Sequence, residues 1–190
     1  MPAKANRVRI IGGRFRGRVI RFPAAVDLRP TPDRVRETLF NWLGQDLTGR
    51  ATLDLYAGSG ALTLEALSRG AVRAVAVDRN AELVQALAQT AEAIGATGLS
   101  IHAGDARRHL ARDTGIYDVI FLDPPFASND WNGLLPACAA RLAPSGHIYA
   151  EAGRKLEAPA GLAVWRHARA GAVHYHLFVR ADDASTPPPP

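Results

Sequence analysis

Hydrophobic and polar residues alternate along this chain with two different periods, and the switches between them predict its elements. From Arg7 the order Arg-Val-Arg-Ile-Ile-Gly-Gly-Arg-Phe-Arg-Gly-Arg-Val-Ile-Arg-Phe sets Arg7 and Arg9 against Val8 and Ile10, and Arg14, Arg16 and Arg18 against Phe15. A period of two belongs to a half-exposed strand. Gly12-Gly13 and Gly17 supply turn or bulge positions, so the front end reads as a β-hairpin with arginines on one face. Residues 23–32 follow as a linker in which Pro30 and Pro32 exclude helix. Thr31 or Asp33 can then cap a helix over Arg34–Leu43, closed by Gly44, with Val35, Leu39, Trp42 and Leu43 at helical spacing.

Beyond that helix, short apolar runs alternate with helical patterns. Strands are predicted over Ala51–Tyr56, Val72–Val77, Leu99–His102, Tyr117–Leu122 and His147–Glu151. Helices are predicted over Ala61–Ser68, Ala81–Ile94, Ala106–Arg112 and Trp131–Leu142. This α/β alternation with short loops predicts a parallel, doubly wound sheet with helices on both faces. Leu162–Arg166 and Ala172–Arg180 have no helix between them and read as an antiparallel pair. The tail Asp182–Pro190 ends in four prolines and is expected to be disordered. The layout is therefore a basic hairpin and linker over 1–32, one α/β domain over 33–181, and the tail 182–190.

Composition narrows the class. A chain of 190 residues, 47% hydrophobic and 22% charged, suits one globular domain with a sizeable core. No apolar run approaches the ~18 residues of a membrane span. The single cysteine, Cys138, cannot form an internal disulfide; it reads as a packed small hydrophobe in a reducing compartment. No apolar signal region opens the chain, so the cytoplasm is expected. The net charge of +5 is unevenly placed: residues 1–36 hold ten Lys/Arg against Asp27 and Asp33, leaving the rest mildly acidic. A basic front on an acidic body points to a polyanion-binding edge, with Arg7, Arg9, Arg14, Arg16, Arg18, Arg21 and Arg34 as candidate RNA contacts. His174 and His176 alternate on the last strand and read as ordinary strand residues; no metal site is expected.

In an open α/β sheet, ligands sit beyond the carboxyl ends of the strands. Asp54-Leu-Tyr-Ala-Gly-Ser-Gly puts Gly58 and Gly60 at the first strand-to-helix turn, where backbone can approach a ligand. A dinucleotide fold would want a third glycine where Thr63 stands. Asp54 would repel phosphate but could hold an ammonium. Asp78, at the second strand's end, can accept from ribose hydroxyls, and Asp105, after the third strand, from an adenine amino group. Ribose, adenine and a positive charge without phosphate describe S-adenosylmethionine. The fourth strand ends in Asp123-Pro124-Pro125-Phe126. The Asp123 carboxylate and the Pro124 carbonyl can accept the two N–H groups of a planar amine and aim its lone pair at a methyl group. Pro125 stiffens the loop, and Phe126 can stack on a splayed-out base.

These segments look like the successive motifs of class I S-adenosylmethionine-dependent methyltransferases, and Asp123-Pro-Pro-Phe126 resembles the signature of exocyclic-amine methylators. More closely, Arg7–Arg18, Leu28–Leu43 and Ala57–Arg69 resemble the bacterial RsmD family, which methylates N2 of one guanine in 16S ribosomal RNA. The resemblance implies a Rossmann-like seven-stranded sheet with the last strand antiparallel, and a cofactor site of Asp54, Ala57, Gly58, Ser59, Gly60, Asp78, Arg79, Asp105 and Ala106. It also implies that Thr31–Glu37 borders the pocket and that the basic hairpin holds the RNA. The expected partner is 16S rRNA within a small ribosomal subunit or an assembly intermediate, met by a monomer. A methylator of adenine N6, a protein-glutamine methylator and a non-catalytic RNA-binding module are the alternatives. The glutamine methylators typically carry Asn in place of Asp123.

Overall fold

The computed structural model describes residues 6–23, 31–125 and 130–185. Two strands, β1 (Asn6–Arg9) and β2 (Val19–Phe22), pair antiparallel with Arg7 opposite Arg21 and Val8 opposite Ile20. Helix α1 (Asp33–Trp42) follows. The body then alternates β3 (Ala51–Asp54), α2 (Ala61–Ser68), β4 (Arg73–Asp78), α3 (Ala81–Ile94), β5 (Leu99–Ala103), α4 (Ala106–Arg112), β6 (Tyr117–Leu122), α5 (Trp131–Ala139) and β7 (Leu142–Ala152). It closes with β8 (Leu162–Ala170), β9 (Val173–Arg180) and a 3-10 helix, Ala181–Ser185.

The seven-stranded sheet runs β5-β4-β3-β6-β7-β9-β8. Strands β3 to β7 are mutually parallel, and β9 runs antiparallel to both neighbours. Alternate residues of the central strands point to opposite faces, and both faces are buried. Val119, Phe121 and Tyr149 join one core with the hairpin, α1, α2 and α3; Ile120, Leu122, Ile148 and Ala150 join the other with α4 and α5. The predicted parallel sheet, the terminal antiparallel pair and the packed Cys138 are all present; burial pushes that thiol up to about 12.

Several boundaries differ from the sequence expectation, each for a local reason. Residues 10–18 are a looped turn and not the start of a second strand, so Arg14, Arg16 and Arg18 lie off the ladder. The chain bends there because Gly13 takes a φ of +71° against α2, where a Cβ would meet the Ser68 carbonyl oxygen at 1.8 Å. Neither Thr31 nor Asp33 caps α1. Pro32 holds the cap position, the Thr31 hydroxyl turns elsewhere, and Asp33 pairs with Arg36 one turn on. Helix α5 stops at Ala139, three residues early, and β7 begins at Leu142 and runs through an irregular register. The first residues of the predicted tail form the 3-10 helix, where the Asp183 carboxylate accepts from the Ser145 N–H at 3.0 Å.

The hairpin is fastened to the body through α2, every residue of which is buried. Glu65 accepts from the N–H groups of Ile11 (2.8 Å) and Gly12 (2.7 Å), and Ser68 Oγ accepts from Phe15 N–H at 2.8 Å. Arg36, fully buried, reaches Glu65, Asp33 and the Arg9 carbonyl, and Arg69 also pairs with Glu65. One of the ten cations of the basic front is thus an internal strut.

Candidate active site

Register places the candidate carboxylates on one edge of the sheet. Asp54, last in β3, lies level with Phe121 of β6, and Asp78, last in β4, lies level with Ala103. Asp105 opens α4 two residues past β5, and Asp123 follows β6 directly. The structure therefore brings Asp54, Asp78, Asp105 and Asp123 to the carboxyl ends of four adjacent strands, where ligands sit in such sheets.

The first turn is a tight backbone loop. Ala57 N–H donates to the Val77 carbonyl, Gly60 N–H to the Ala57 carbonyl at 2.7 Å, and Gly58 N–H to Asp78 Oδ2 at 2.7 Å. Gly60 caps α2 with a φ of +77°, a left-handed conformation that a Cβ would both strain and drive into Leu87. Ser59 is buried in the same turn, and Arg79 stands exposed just past Asp78. The other Asp78 oxygen accepts from Asn80 N–H at 2.8 Å, so each oxygen keeps a lone pair for a ribose hydroxyl. Asp105 caps α4 beside the buried Ala106: its Oδ1 takes the N–H groups of Arg107 and Arg108, and Oδ2 takes neither.

Asp54 is 2% exposed. Its Oδ2 accepts from the Thr63 hydroxyl at 2.7 Å, while Oδ1 is buried without a partner. Thr63, which the spacing marked only as a missing third glycine, thereby orients the carboxylate. Burial pushes this carboxyl up to about 7, against the pull of the Thr63 hydroxyl. An orphaned acceptor on a strained carboxylate is what an incoming ammonium would complete.

Around Asp123 the structure brings in Glu151 and Tyr149, which the sequence did not single out, together with Thr31. The Thr31 hydroxyl lies 3.2 Å from Asp123 Oδ2 and 3.0 Å from Glu151 Oε1. Tyr149 donates its hydroxyl to the same Glu151 oxygen at 2.8 Å. Burial and the neighbouring Glu151 charge hold the Asp123 carboxyl well above the usual carboxylate range, with Thr31 opposing; burial likewise raises Glu151. The Tyr149 hydroxyl is pushed up by burial and by Glu151, so it stays a donor. Glu151 had a readable signal, an acid closing a buried strand at the ligand edge, as Asp54 and Asp78 do. Of the segment Thr31–Glu37, Thr31 is the residue that touches Asp123 and Glu151. Pro124 is buried and Pro125 exposed, and Phe126 lies outside the described residues.

The candidate RNA contacts divide. Arg7, Arg9 and Arg21 are exposed on the hairpin, and Arg7 faces Arg21 across the strands, a like-charge pair that a polyanion would relieve. Arg34 is exposed in the first turn of α1, three residues from Thr31. Arg14, Arg16 and Arg18 are exposed too, on the loop anchored at the far end of α2, about 12 Å along the helix from Gly60.

Comparison with known proteins identifies relatives of the whole chain. The family described as conserved hypothetical protein 95 matches residues 8–179. The chain is 37% identical over 185 residues to ribosomal RNA small subunit methyltransferase D of Escherichia coli, covering 93% of this chain and 91% of that protein. It superposes on the solved structure of the Escherichia coli protein yhhF with a TM-score of 0.83 at 36% identity, over 92% of this chain and 98% of that one. The fold is shared more distantly with SMU.776, solved in complex with SAH (TM-score 0.72, 13% identity, 94% of this chain and 56% of that one).

Proposed function

The chain belongs to the RsmD family, and on that premise we propose that it methylates small-subunit ribosomal RNA with S-adenosylmethionine, at the exocyclic N2 of one guanine, position 966. The observation that carries this reading is Asp123, set at the end of β6 and shared through the Thr31 hydroxyl with Glu151.

The cofactor supplies an activated methyl group and carries the ribose, adenine and ammonium that this edge suits. Asp54 holds the ammonium, Asp78 the ribose diol, and the free oxygen of Asp105 the adenine amino group; Gly58 and Gly60 let the backbone lie against them. The guanine amine is a weak nucleophile because its lone pair is delocalised into the ring. Asp123 and the Pro124 carbonyl accept its two N–H groups, which localises the lone pair and fixes its direction. Positive charge that grows on the nitrogen as it takes the methyl group would be stabilised by the adjacent carboxylates of Asp123 and Glu151. The proton then leaves nitrogen for Asp123. An ionised Asp123 is needed, so the rate rises with pH through a carboxyl held above its ordinary range.

The guanine N2 lies on a paired, minor-groove edge in a helix, so the substrate base is an unpaired one. The outward arginines of the hairpin and Arg34 hold its phosphates. No described helix is long and apolar enough to cross a membrane, and a monomer acting on rRNA in the cytoplasm fits the reading.

The test is transfer of labelled methyl from S-adenosylmethionine to small subunits, and to protein-free 16S RNA, from cells lacking this gene. Label recovered as N2-methylguanosine is expected, and whichever form accepts it shows when in assembly the enzyme acts. Label recovered as N6-methyladenosine would overturn the base assignment, and no label on either RNA would overturn the substrate.

A further inference from the structure

The arginine-rich hairpin is not the only basic surface of the protein. The other is the pair β8–β9 with the connection 153–161. Register carries this pair to the level of Asp123. Leu122, just before Asp123, pairs with Ala150; Ala150 pairs with His176, and Ala152 with His174. On the far side of β9, His176 pairs with His167 and His174 with Arg169. Three strand spacings separate β6 from β8, so this corner sits ~14 Å from the reaction centre on the same edge.

Its chemistry is distinctive. Arg154, Lys155 and Arg169 are exposed, and no described carboxylate forms an ion pair with any of them. Arg169 donates only to the Gly171 carbonyl and Arg154 only to that of Lys155, so their charges face solvent. Arg36, Arg69 and Arg107 are each held by a carboxylate, and Arg73 and Arg180 tie distant segments through backbone carbonyls, whereas Arg154 and Arg169 reach only carbonyls one or two residues away. Beside these cations the half-buried rings of His167 and His174 lie edge to edge, 13° from parallel with centroids 5.3 Å apart, joined by a 3.0 Å nitrogen–nitrogen hydrogen bond. Free cations flanking a flat ring platform form the combination that binds single-stranded nucleic acid, with phosphates on the cations and an unpaired base on the rings.

We propose that Arg154, Lys155 and Arg169, with the paired His167 and His174, form a second RNA-binding surface that grips the unpaired nucleotides flanking the target base. The proposal rests on the rRNA reading above and extends it from a one-sided hairpin contact to a clamp across the reaction edge. Arg14, Arg16 and Arg18, fastened at the far end of α2, are placed for more distant phosphates.

The test is the triple variant Arg154→Ala/Lys155→Ala/Arg169→Ala in the full chain, with His167→Ala made separately. All four substitutions touch neither the cofactor residues nor Asp123. The triple variant is expected to raise KM for protein-free 16S RNA about tenfold or more while leaving kcat and cofactor affinity within twofold. It should also flatten the dependence of log affinity on log salt by about 2 to 3. His167→Ala should weaken RNA binding without changing the salt slope, since stacking carries no counterions. Unchanged KM and salt slope in the triple variant would overturn the proposal. So would a KM that rises on assembled subunits alone, because that surface would then be reading a ribosomal protein. If the wild-type enzyme labels neither RNA, the functional reading fails separately. Binding of both proteins to a single-stranded 16S fragment still decides the surface, a flattened slope supporting it and an equal slope overturning it.

Discussion

Asp54→Asn separates what the carboxylate at the end of β3 does for the cofactor from what it does to the fold. The buried Asp54 carboxyl titrates at about 7 in the folded protein, against 3.8 when exposed. Between those values the folded chain holds a proton that the unfolded chain has released, so stability must fall as pH rises. At 1.36 kcal/mol per pH unit the full loss is roughly 4 kcal/mol, complete near pH 7 and absent below pH ~4. From pH 5 to pH 8 the wild type should therefore lose roughly 3 kcal/mol that the uncharged Asn variant keeps. The new amide still accepts from Thr63, and any fixed cost of burying its NH2 cancels in that difference. Cofactor affinity should move the other way, by about tenfold or more, because a charge-assisted bond to the ammonium contributes ~1.5–3 kcal/mol. Urea unfolding at pH 5 and 8, followed by tryptophan fluorescence, measures the first effect, and calorimetric titration with S-adenosylmethionine the second. If the stabilities of the two proteins ran parallel within about 1 kcal/mol across that range, Asp54 would not be the strained carboxylate described here. Equal cofactor affinity would remove its role at the ammonium.

The same edge and its supports yield further expectations. Asp123→Asn should cut methyl transfer by two or more orders of magnitude with cofactor binding within twofold; near-normal turnover would contradict the assigned role of the carboxylate. Glu151→Gln keeps the bond from Tyr149 but removes the like charge facing Asp123, so the acid limb of the pH–rate profile should move to lower pH; a stationary limb would exclude the coupling. Glu65→Ala should lower stability to urea by about 2–6 kcal/mol, because it strands two backbone N–H groups at about 1–3 kcal/mol each and leaves the buried Arg36 to Asp33 alone among carboxylates, against a total stability of roughly 5–15 kcal/mol; an unchanged midpoint would show that Glu65 does not hold the hairpin. Ser68→Ala is the milder probe of the same junction: it should cost about 1–3 kcal/mol and speed amide exchange at Phe15, and unchanged exchange would show that the loop is held by other contacts.

The sheet and its ligand edge were legible because they rest on local signals. Short apolar runs with Asp54 and Asp78 at or near their ends, and acids just past strands at Asp105 and Asp123, mark the edge without any knowledge of packing. What escaped reading depends on contacts between residues far apart in sequence. Thr31 and Glu151 are 120 positions apart, and no spacing rule announces that one hydroxyl lies between Glu151 and Asp123. Arg36 counts as surface charge in any composition, yet it is fully buried because Glu65 and Asp33 are there to meet it. The arginines after Gly13 alternate as a strand would, but Gly13 and the carbonyl end of α2 capture the chain first. Tertiary partners overrode a local period there, the usual limit of pattern reading.

Two groups of buried acids in one small protein show how structure and function part company. Glu65 is met on every side: two backbone N–H groups, the Arg36 guanidinium and the Arg69 guanidinium all converge on its oxygens. A carboxylate kept only to hold a fold is compensated in this way, since an unpaired buried charge costs several kcal/mol. Asp54, Asp123 and Glu151 form no ion pair with any described residue; the hydroxyls of Thr63, Thr31 and Tyr149 are the side chains that meet them. Their charges raise one another: Glu151 and Asp54 both act on Asp123. The same chain has arginines enough to neutralise them and spends those arginines at the surface or on Glu65. Such an edge is unfavourable alone and becomes favourable when positive charge arrives. The cofactor's ammonium and sulfonium, and the charge that passes from sulfur to the methylated amine, are the positive centres of the proposed reaction, and the acids are placed to meet them.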